Sequence, residues 1–229
     1  KFKPAPMDSV PLALPKELVS LTPTEKSPPD VGSNNWAVSG SRTATGAPLL
    51  SNDPHLQLSL PSIWYIIHLN APGVNTMGAS LPGSPAVISG FNDSIAWGVT
   101  NAQRDLVDWY KIQFKDASKK EYLSDGAWKT ATKVVERFAV KNGEPFYDTI
   151  TYTHHGPVVF DESFHQESEA AHFALRWIAH DPSEEIMTFY KLNRGKNHAD
   201  YMAALDHYAS PAQNFVFASV SGDNRKSVV

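Results

Sequence analysis

From Asn35 onward the chain is written in short apolar runs, "NWAVSG", "PLLSN", "SIWYIIHLN", "VNTMGASL", "AVISG", "SIAWGVT" and "VDWYKIQF", each closed by Gly, Pro, Asn, Asp or Ser. Runs of this length with β-branched and aromatic residues, bounded by turn formers, predict strands. A second set follows at "KVVERFAV", "DTITYT", "PVVF" and "FALRWI". The stretch between the sets, "KDASKKEYLSDGAWK", is polar and rich in turn residues, and its Asp125-Gly126 pair is a hairpin signal. The period then lengthens. In "PSEEIMTFYKLNRGKN" and "NHADYMAALDHYAS" apolar residues recur three or four apart, which predicts two helices, the first capped by Ser183 with Glu184 and Glu185 in its opening turn. "QNFVFASVSGDN" returns to a strand. Strands first and helices late give an α+β chain rather than alternating βαβ units.

The first 32 residues differ from everything after them. They hold seven of the 17 prolines, which remove backbone donors and restrict the residues before them, so residues 1–32 read as an extended linker with a short turn at 17–20. Residues 33–229 form the folded portion. Acidic and basic residues are mixed along the chain at a net charge of -4, with no basic stripe to meet a phosphate backbone, so nucleic acid is not an expected partner. No apolar run reaches the ~20 residues of a membrane-spanning helix. The absence of cysteine excludes disulfides and thiolate metal sites.

The linker ends at Gly32–Ser33, inside "DVGSNNWAVSG". A serine hydroxyl needs a base to become a nucleophile, and no G-x-S-x-G elbow occurs in the chain. The alternative is a serine that uses its own α-amino group, pKa ~7.7–8.0, as the base. That serine must stand first in its chain, which requires scission immediately before it. By itself Gly32-Ser33-Asn34-Asn35 is an ordinary turn sequence.

Three blocks in order change the balance: "GSNNWAVSGSRTATGAPLLSNDPHLQLSLPSIWY", "SLPGSPAVISGFNDSIAWGVTNAQRDLVDWY" and "QNFVFASVSGDN". Together they closely resemble the start of the β-chain of the penicillin acylase family. These N-terminal nucleophile hydrolases include penicillin G acylases, cephalosporin acylases and acyl-homoserine lactone acylases. The resemblance implies part of an αββα core, with antiparallel sheets and flanking helices, within a larger heterodimer. It also implies self-cleavage at Gly32–Ser33, after which Ser33 is both nucleophile and α-amino base for the hydrolysis of an acyl amide. By the same resemblance His55 of "NDPHLQL" steadies the nucleophile, and the backbone N–H of Asn101 serves the oxyanion. Leu56, Ser89, Val99 and Gln103 line the acyl pocket, without the aromatic rings of a phenylacetyl site. Asn214 takes a structural role.

Asp105 and Asp108 flank Val107 in "RDLVDWY", and two carboxylates with an intervening carbonyl suit a hard cation. Calcium-binding members of the family use such an arrangement, so the resemblance implies a structural calcium held in part by Asp105, Val107 and Asp108. No organic cofactor is expected. The expected partners are the α-chain and the rest of the β-chain of the same precursor, and the expected location, from the family, is periplasmic or extracellular. With Gly32–Ser33 intact the nitrogen of Ser33 is an amide, so the polypeptide as written is expected to be an inactive, precursor-like fragment. His68, His154, His155, His180 and His207 read as structural histidines. A second class of function is a noncatalytic β domain that binds carbohydrate on Trp109 and Trp128, although the alternation around those rings places them in a core.

Overall fold

The fold is that of a computed structural model, which describes residues 32–56, 58–160, 172–221 and 224–228. The lead-in up to residue 31, with the turn expected at 17–20, lies outside the described residues.

The centre is a six-stranded antiparallel sheet in the order β15-β14-β6-β5-β4-β3, built from β3 (Tyr65–Ala71), β4 (Val74–Ser80), β5 (Ser89–Asn92), β6 (Ile95–Asn101), β14 (Gln213–Ser219) and β15 (Asn224–Val228). Alternation along these strands gives the sheet two different faces. One face carries Ile67, Leu69, Trp97, Val99, Phe215 and Phe217, and packs against α1 (Glu185–Leu192) and α2 (His198–Leu205) through Phe189, Leu192, Tyr201, Ala204 and Leu205. Ring contacts tie the two layers: Tyr201 lies 4.7 Å from Phe217, and Tyr208 meets Phe215 edge-on at 5.0 Å.

The opposite face presents Ala96, Gly98, Thr100, Asn214, Val216 and Ala218. A hairpin of β1 (Gly32–Val38) and β2 (Leu49–His55) lies across it, with the register running from Gly32↔His55 to Val38↔Leu49. A second, five-stranded sheet, β10-β11-β12-β13-β7, joins β7 (Val107–Ile112), β10 (Thr132–Phe138), β11 (Phe146–Thr153), β12 (Gly156–Phe160) and β13 (His172–Trp177). Its smaller core is Ile112, Tyr122, Val158 and Ala174.

Strand and helix types follow the sequence pattern, the expected hairpin at Asp125-Gly126 included, with three local differences besides. The polar stretch before residue 131 folds into its own hairpin, β8 (Glu121–Ser124) and β9 (Ala127–Thr130), whose turn sets Asp125 at φ 53° and Gly126 at φ 74°. The strand expected at "AVISG" starts only at Ser89. Val87 donates its N–H to Asn193 Oδ1 at 2.9 Å and accepts from Asn193 Nδ2 at 2.8 Å, so a side-chain amide takes the place of a neighbouring strand. Ser183 does not cap α1; its hydroxyl donates to Glu185 Oε2 at 2.6 Å, and the N-cap position falls on Glu184. Trp128 is not core either: it is 43% exposed with Lys115 Nζ 5.8 Å from its ring centre, while Trp109 is half-buried.

Glu185 also holds the chain that follows α2, accepting at Oε1 from the N–H groups of Ser210 (3.0 Å) and Ala209 (3.3 Å). Burial pushes its carboxyl up, but these bonds, with those from Ser183 and its own N–H, outweigh burial and hold it below its usual value. A depressed folded value adds stability above the unfolded pKa, and that stability is lost as pH falls through the folded one. Glu185→Ala is therefore expected to cost about 1 kcal/mol at neutral pH, the partial exposure having been discounted. Thermal melts across pH 7 to 3 should show the gap between wild type and variant narrowing below ~4.

Candidate active site

Ser33 stands at the head of β1, on the inner face of the hairpin with Asn35 and Ala37. Two asparagines fix that hairpin on the central sheet. Asn35 Nδ2 donates to the backbone oxygen of Asn214 at 3.1 Å and to Thr100 Oγ1 at 3.3 Å. Asn52, directly opposite Asn35, donates from Nδ2 to the carbonyl of Val99 at 2.9 Å and accepts at Oδ1 from the Val99 N–H at 3.1 Å. The Ser89 hydroxyl also donates to Asn52 Oδ1.

These contacts give the hairpin a direction. Leu50 borders a cavity shared with Ala96 and Ala218, Asn52 sits at Val99, and on the returning strand Asn35 sits at Thr100. One further step of the inner face, ~6.6 Å along the strand, carries Ser33 toward the Asn101 end of β6.

Along β6 the even-numbered residues bond to β14, as the bonds Val220 N–H to Ser94 O and Ala102 N–H to Ala212 O show at the two ends. The N–H groups of Val99 and Asn101 therefore point away from β14. The Asn101 side chain accepts from the Gln103 N–H at 2.8 Å, turning the chain at Gln103 with φ 49°, and its carbonyl accepts from Asn214 Nδ2 at 3.2 Å.

The Ser33 hydroxyl donates to the carbonyl of Gly32 at 2.6 Å, across the bond expected to be cut. His55 is in register with Gly32, so alternation puts its ring on the outer face of the hairpin, opposite to that of Ser33. There Nε2 lies 2.7 Å from Asp53 Oδ2. The continuous chain does not bring the imidazole to the Ser33 hydroxyl. Of the four residues expected at the acyl pocket, Ser89 and the Val99 backbone meet at Asn52 Oδ1, and the other two stand apart from them. Ser89 is tied to Asn52, Val99 packs toward the helix-side core, and Leu56 and Gln103 are exposed.

Asp105 and Asp108 border a cavity of about 270 Å³ with Leu106, Arg176, Ile178 and Asp181. Their oxygens suit calcium in kind. They do not suffice in number, because calcium takes six to eight oxygens and the third carboxylate, Asp181, is engaged by Arg176 through two nitrogens. Asp105 Oδ1 also accepts the Val107 N–H at 3.2 Å. No group of three or more His, Cys, Asp or Glu able to hold a metal occurs among the described residues.

The other histidines have partners. His154 Nδ1 meets the Tyr122 hydroxyl at 2.9 Å, His155 stacks on Tyr110 at 3.8 Å, and His68 meets Asn75 at 2.8 Å. His207 bridges Lys191 and Glu184, and His180 lies edge-on to Trp177. Burial, and then the adjacent His154, hold His155 below the ordinary histidine value.

Sequence reasoning did not single out Asn35 or Asn52. The readable signal for Asn52 was Gly98, since a glycine within a strand marks the close approach of another group. A Cβ at residue 98 would stand 2.5 Å from the Asn52 Cβ.

A helix-backed antiparallel sheet crossed by a hairpin with Ser33 near the head of its first strand makes a layered α+β core. Residues 4–225 match the penicillin amidase family, and the chain belongs to it. Acyl-homoserine lactone acylase QuiP of Pseudomonas aeruginosa is 31% identical over 195 residues, covering 81% of this chain and 23% of that protein. Penicillin acylase 2 proenzyme of Pseudomonas sp. strain SE83 is 35% identical over 133 residues, covering 56% of this chain and 16% of that protein. Among solved structures, a thermostable penicillin G acylase from Alcaligenes faecalis aligns with a TM-score of 0.73 at 25% identity, covering 84% of this chain and 34% of that one. The chain thus spans 23% of the length of the first of these curated relatives. Among the described residues no helix is long and apolar enough to cross a membrane.

Proposed function

We propose that this chain is part of an acylase that hydrolyses amide bonds, with Ser33 as its nucleophile once the Gly32–Ser33 bond has been cut. The observation that supports this reading is the seating of β1: Asn35 and Asn52 hold the face of the hairpin that carries Ser33 against the central sheet, with the strand running on toward the end of β6, where the Asn101 N–H points away from β14. The acylase names of its relatives agree with it, and one of them is a proenzyme.

In the uncut chain the Ser33 nitrogen is an amide and cannot take a proton. The hydroxyl oxygen instead attacks the Gly32 carbonyl carbon. The C–N bond breaks, the hydroxyl proton passes to nitrogen, and an ester joins Gly32 to the Ser33 oxygen. Water hydrolyses that ester to a Gly32 carboxylate and a Ser33 with free hydroxyl and free α-amine. In turnover the amine takes the hydroxyl proton as oxygen attacks the substrate carbonyl, and returns it to the departing amine. Water then frees the acid from the acyl-serine by the same base. A backbone N–H aimed at the developing oxyanion costs no reorganisation, and this is the task assigned to Asn101. His55 would support the amine after scission, and Leu56, Ser89, Val99 and Gln103 would shape an acyl pocket without aromatic rings.

The parent protein is proposed to act with its α-chain and the remainder of its β-chain, outside the cytoplasm. The test is the mass of the full-length precursor together with a screen of short, long and aromatic N-acyl substrates. Wild-type protein that stays uncut and inert on every substrate would sink the acylase reading in favour of a binding domain.

Calcium is proposed to be held by Asp105, Asp108 and the Val107 carbonyl, with the other oxygens supplied from beyond the described residues. Adding calcium to the complete, chelator-treated protein should raise its melting temperature, and Asp108→Ala should remove most of that rise. An unchanged melt on calcium addition would withdraw the proposal.

A further inference from the structure

We propose that Asn52 is a positioning residue, whose carboxamide replaces a strand beside Val99 and so leaves the next outward N–H, that of Asn101, open to a ligand. The proposal rests on the acylase reading for its catalytic consequence, but its structural content stands apart from it.

The case starts from the ladder. Strand β5 pairs with β6 only at Gly90↔Trp97 and Phe91↔Ala96, so Val99 lies past the end of β5. The chain preceding β5 has turned away there: the Ile88 N–H bonds to the Ala79 carbonyl, and the Ile88 carbonyl accepts from Trp97 Nε1 at 3.0 Å. Val99 would then present an N–H and a carbonyl with no strand beside them, and half-buried backbone groups left in that state are costly. Asn52 supplies both partners at once, at 3.1 and 2.9 Å, as a strand peptide would. A strand would have continued to residue 101 and covered it; a single side chain stops after one residue.

Three further contacts show that the position is built for this amide. The Ser89 hydroxyl donates to the same Asn52 oxygen, which orients the carboxamide. Asn52 Nδ2 also lies 3.4 Å from the Asn34 carbonyl, the residue next to Ser33. Gly98 leaves the space, since a Cβ there would lie 2.5 to 2.9 Å from Asn52 Cβ, Cγ and Oδ1. One side chain therefore touches the strand of the nucleophile and the strand of the proposed oxyanion donor, and sets the register between them.

The experiment uses the full-length precursor with Asn52→Asp, Asn52→Ala, Gly98→Ala and the double variant Gly98→Ala/Asn52→Ala. Asn52→Asp keeps the shape and the acceptor for Val99 and Ser89, but loses the donor to the Val99 carbonyl. It is expected to fold, to cut itself more slowly, and to lose roughly 10- to 100-fold in kcat with KM within about threefold, because it disturbs transition-state geometry more than substrate binding. Hydrogen exchange should show the Val99 amide losing protection in Asn52→Ala, which removes its acceptor, and keeping it in Asn52→Asp. Gly98→Ala should resemble Asn52→Ala, and the double variant should lose little more than either single, because both disable one device.

Self-cleavage and kcat within twofold of wild type in Asn52→Ala would overturn the proposal, and so would unchanged protection of Val99 in Asn52→Ala. A wild-type protein without scission or activity would instead defeat the acylase reading. In that case the exchange at Val99 alone decides for or against the clamp.

Discussion

Full-length precursor carrying Ser33→Ala is expected to remain a single uncut chain and to hydrolyse acyl amides at least about 10⁴-fold more slowly than wild type, since removal of an activated nucleophile costs factors of this size. The two losses have one origin. The Ser33 oxygen is the group proposed to open the Gly32–Ser33 bond and then to attack the substrate, and alanine offers no oxygen for either. Little should change in the fold, because the Ser33 hydroxyl makes its bond to the adjacent Gly32 carbonyl, on an exposed stretch of β1. The hairpin is fixed by Asn35 and Asn52 instead. A melting temperature near that of wild type, beside an uncut mass, would separate chemistry from folding. Scission before residue 33 in the alanine variant would refute self-cleavage by this serine. Ser33→Cys gives a graded control: a thiol can still attack, so some cleavage should survive, whereas in Ser33→Ala none should.

The second large effect concerns the layer beneath. Trp97→Ala is expected to cost about 4 kcal/mol, the range for removing a large aromatic ring from a core. In a domain of this size that is on the order of 10 °C in melting temperature. Trp97 is fully buried at the centre of β6, within the cluster that joins the sheet to α1 and α2. Its indole N–H donates to the Ile88 carbonyl at 3.0 Å, so truncation both empties the ring's volume and strands a buried acceptor. Trp97→Phe restores most of the volume but not the donor, and should recover more than half of the loss. If alanine at 97 melted within 2 °C of wild type, the sheet-to-helix layer would not be the main core.

The same strand shows what sequence can and cannot give. Its existence was plain in "SIAWGVT", and so was the class of fold, because strand runs precede two runs of helical period. Even the turn at Asp125-Gly126 was legible, since both residues accept positive φ cheaply. The lost detail lies where side-chain amides act as backbone. Asn193 shortens the strand expected at "AVISG" by holding Val87, and Asn52 holds Val99. Hydropathy records an asparagine as polar and says nothing of its reach to a residue 106 or 47 positions away. Burial of Trp128 failed for another reason: it sits on a two-stranded hairpin and stays 43% exposed, although its neighbours alternate as core residues do. For the site, the chain order of Ser33, His55 and Asn101 could be matched to a family pattern. The face on which His55 lies could not, because it depends on a pairing register that begins at Gly32 itself.

That register carries a consequence for maturation. Of the seven residue pairs between β1 and β2, the proposed scission at Gly32–Ser33 would sever only the first, leaving six to hold the new terminus in place. The residue that would depart is the one paired with His55. The proposed cut would thus vacate the place across from His55 as it creates an amine one residue further along, so the clipped peptide would act as a placeholder whose exit gives histidine and terminus room to meet.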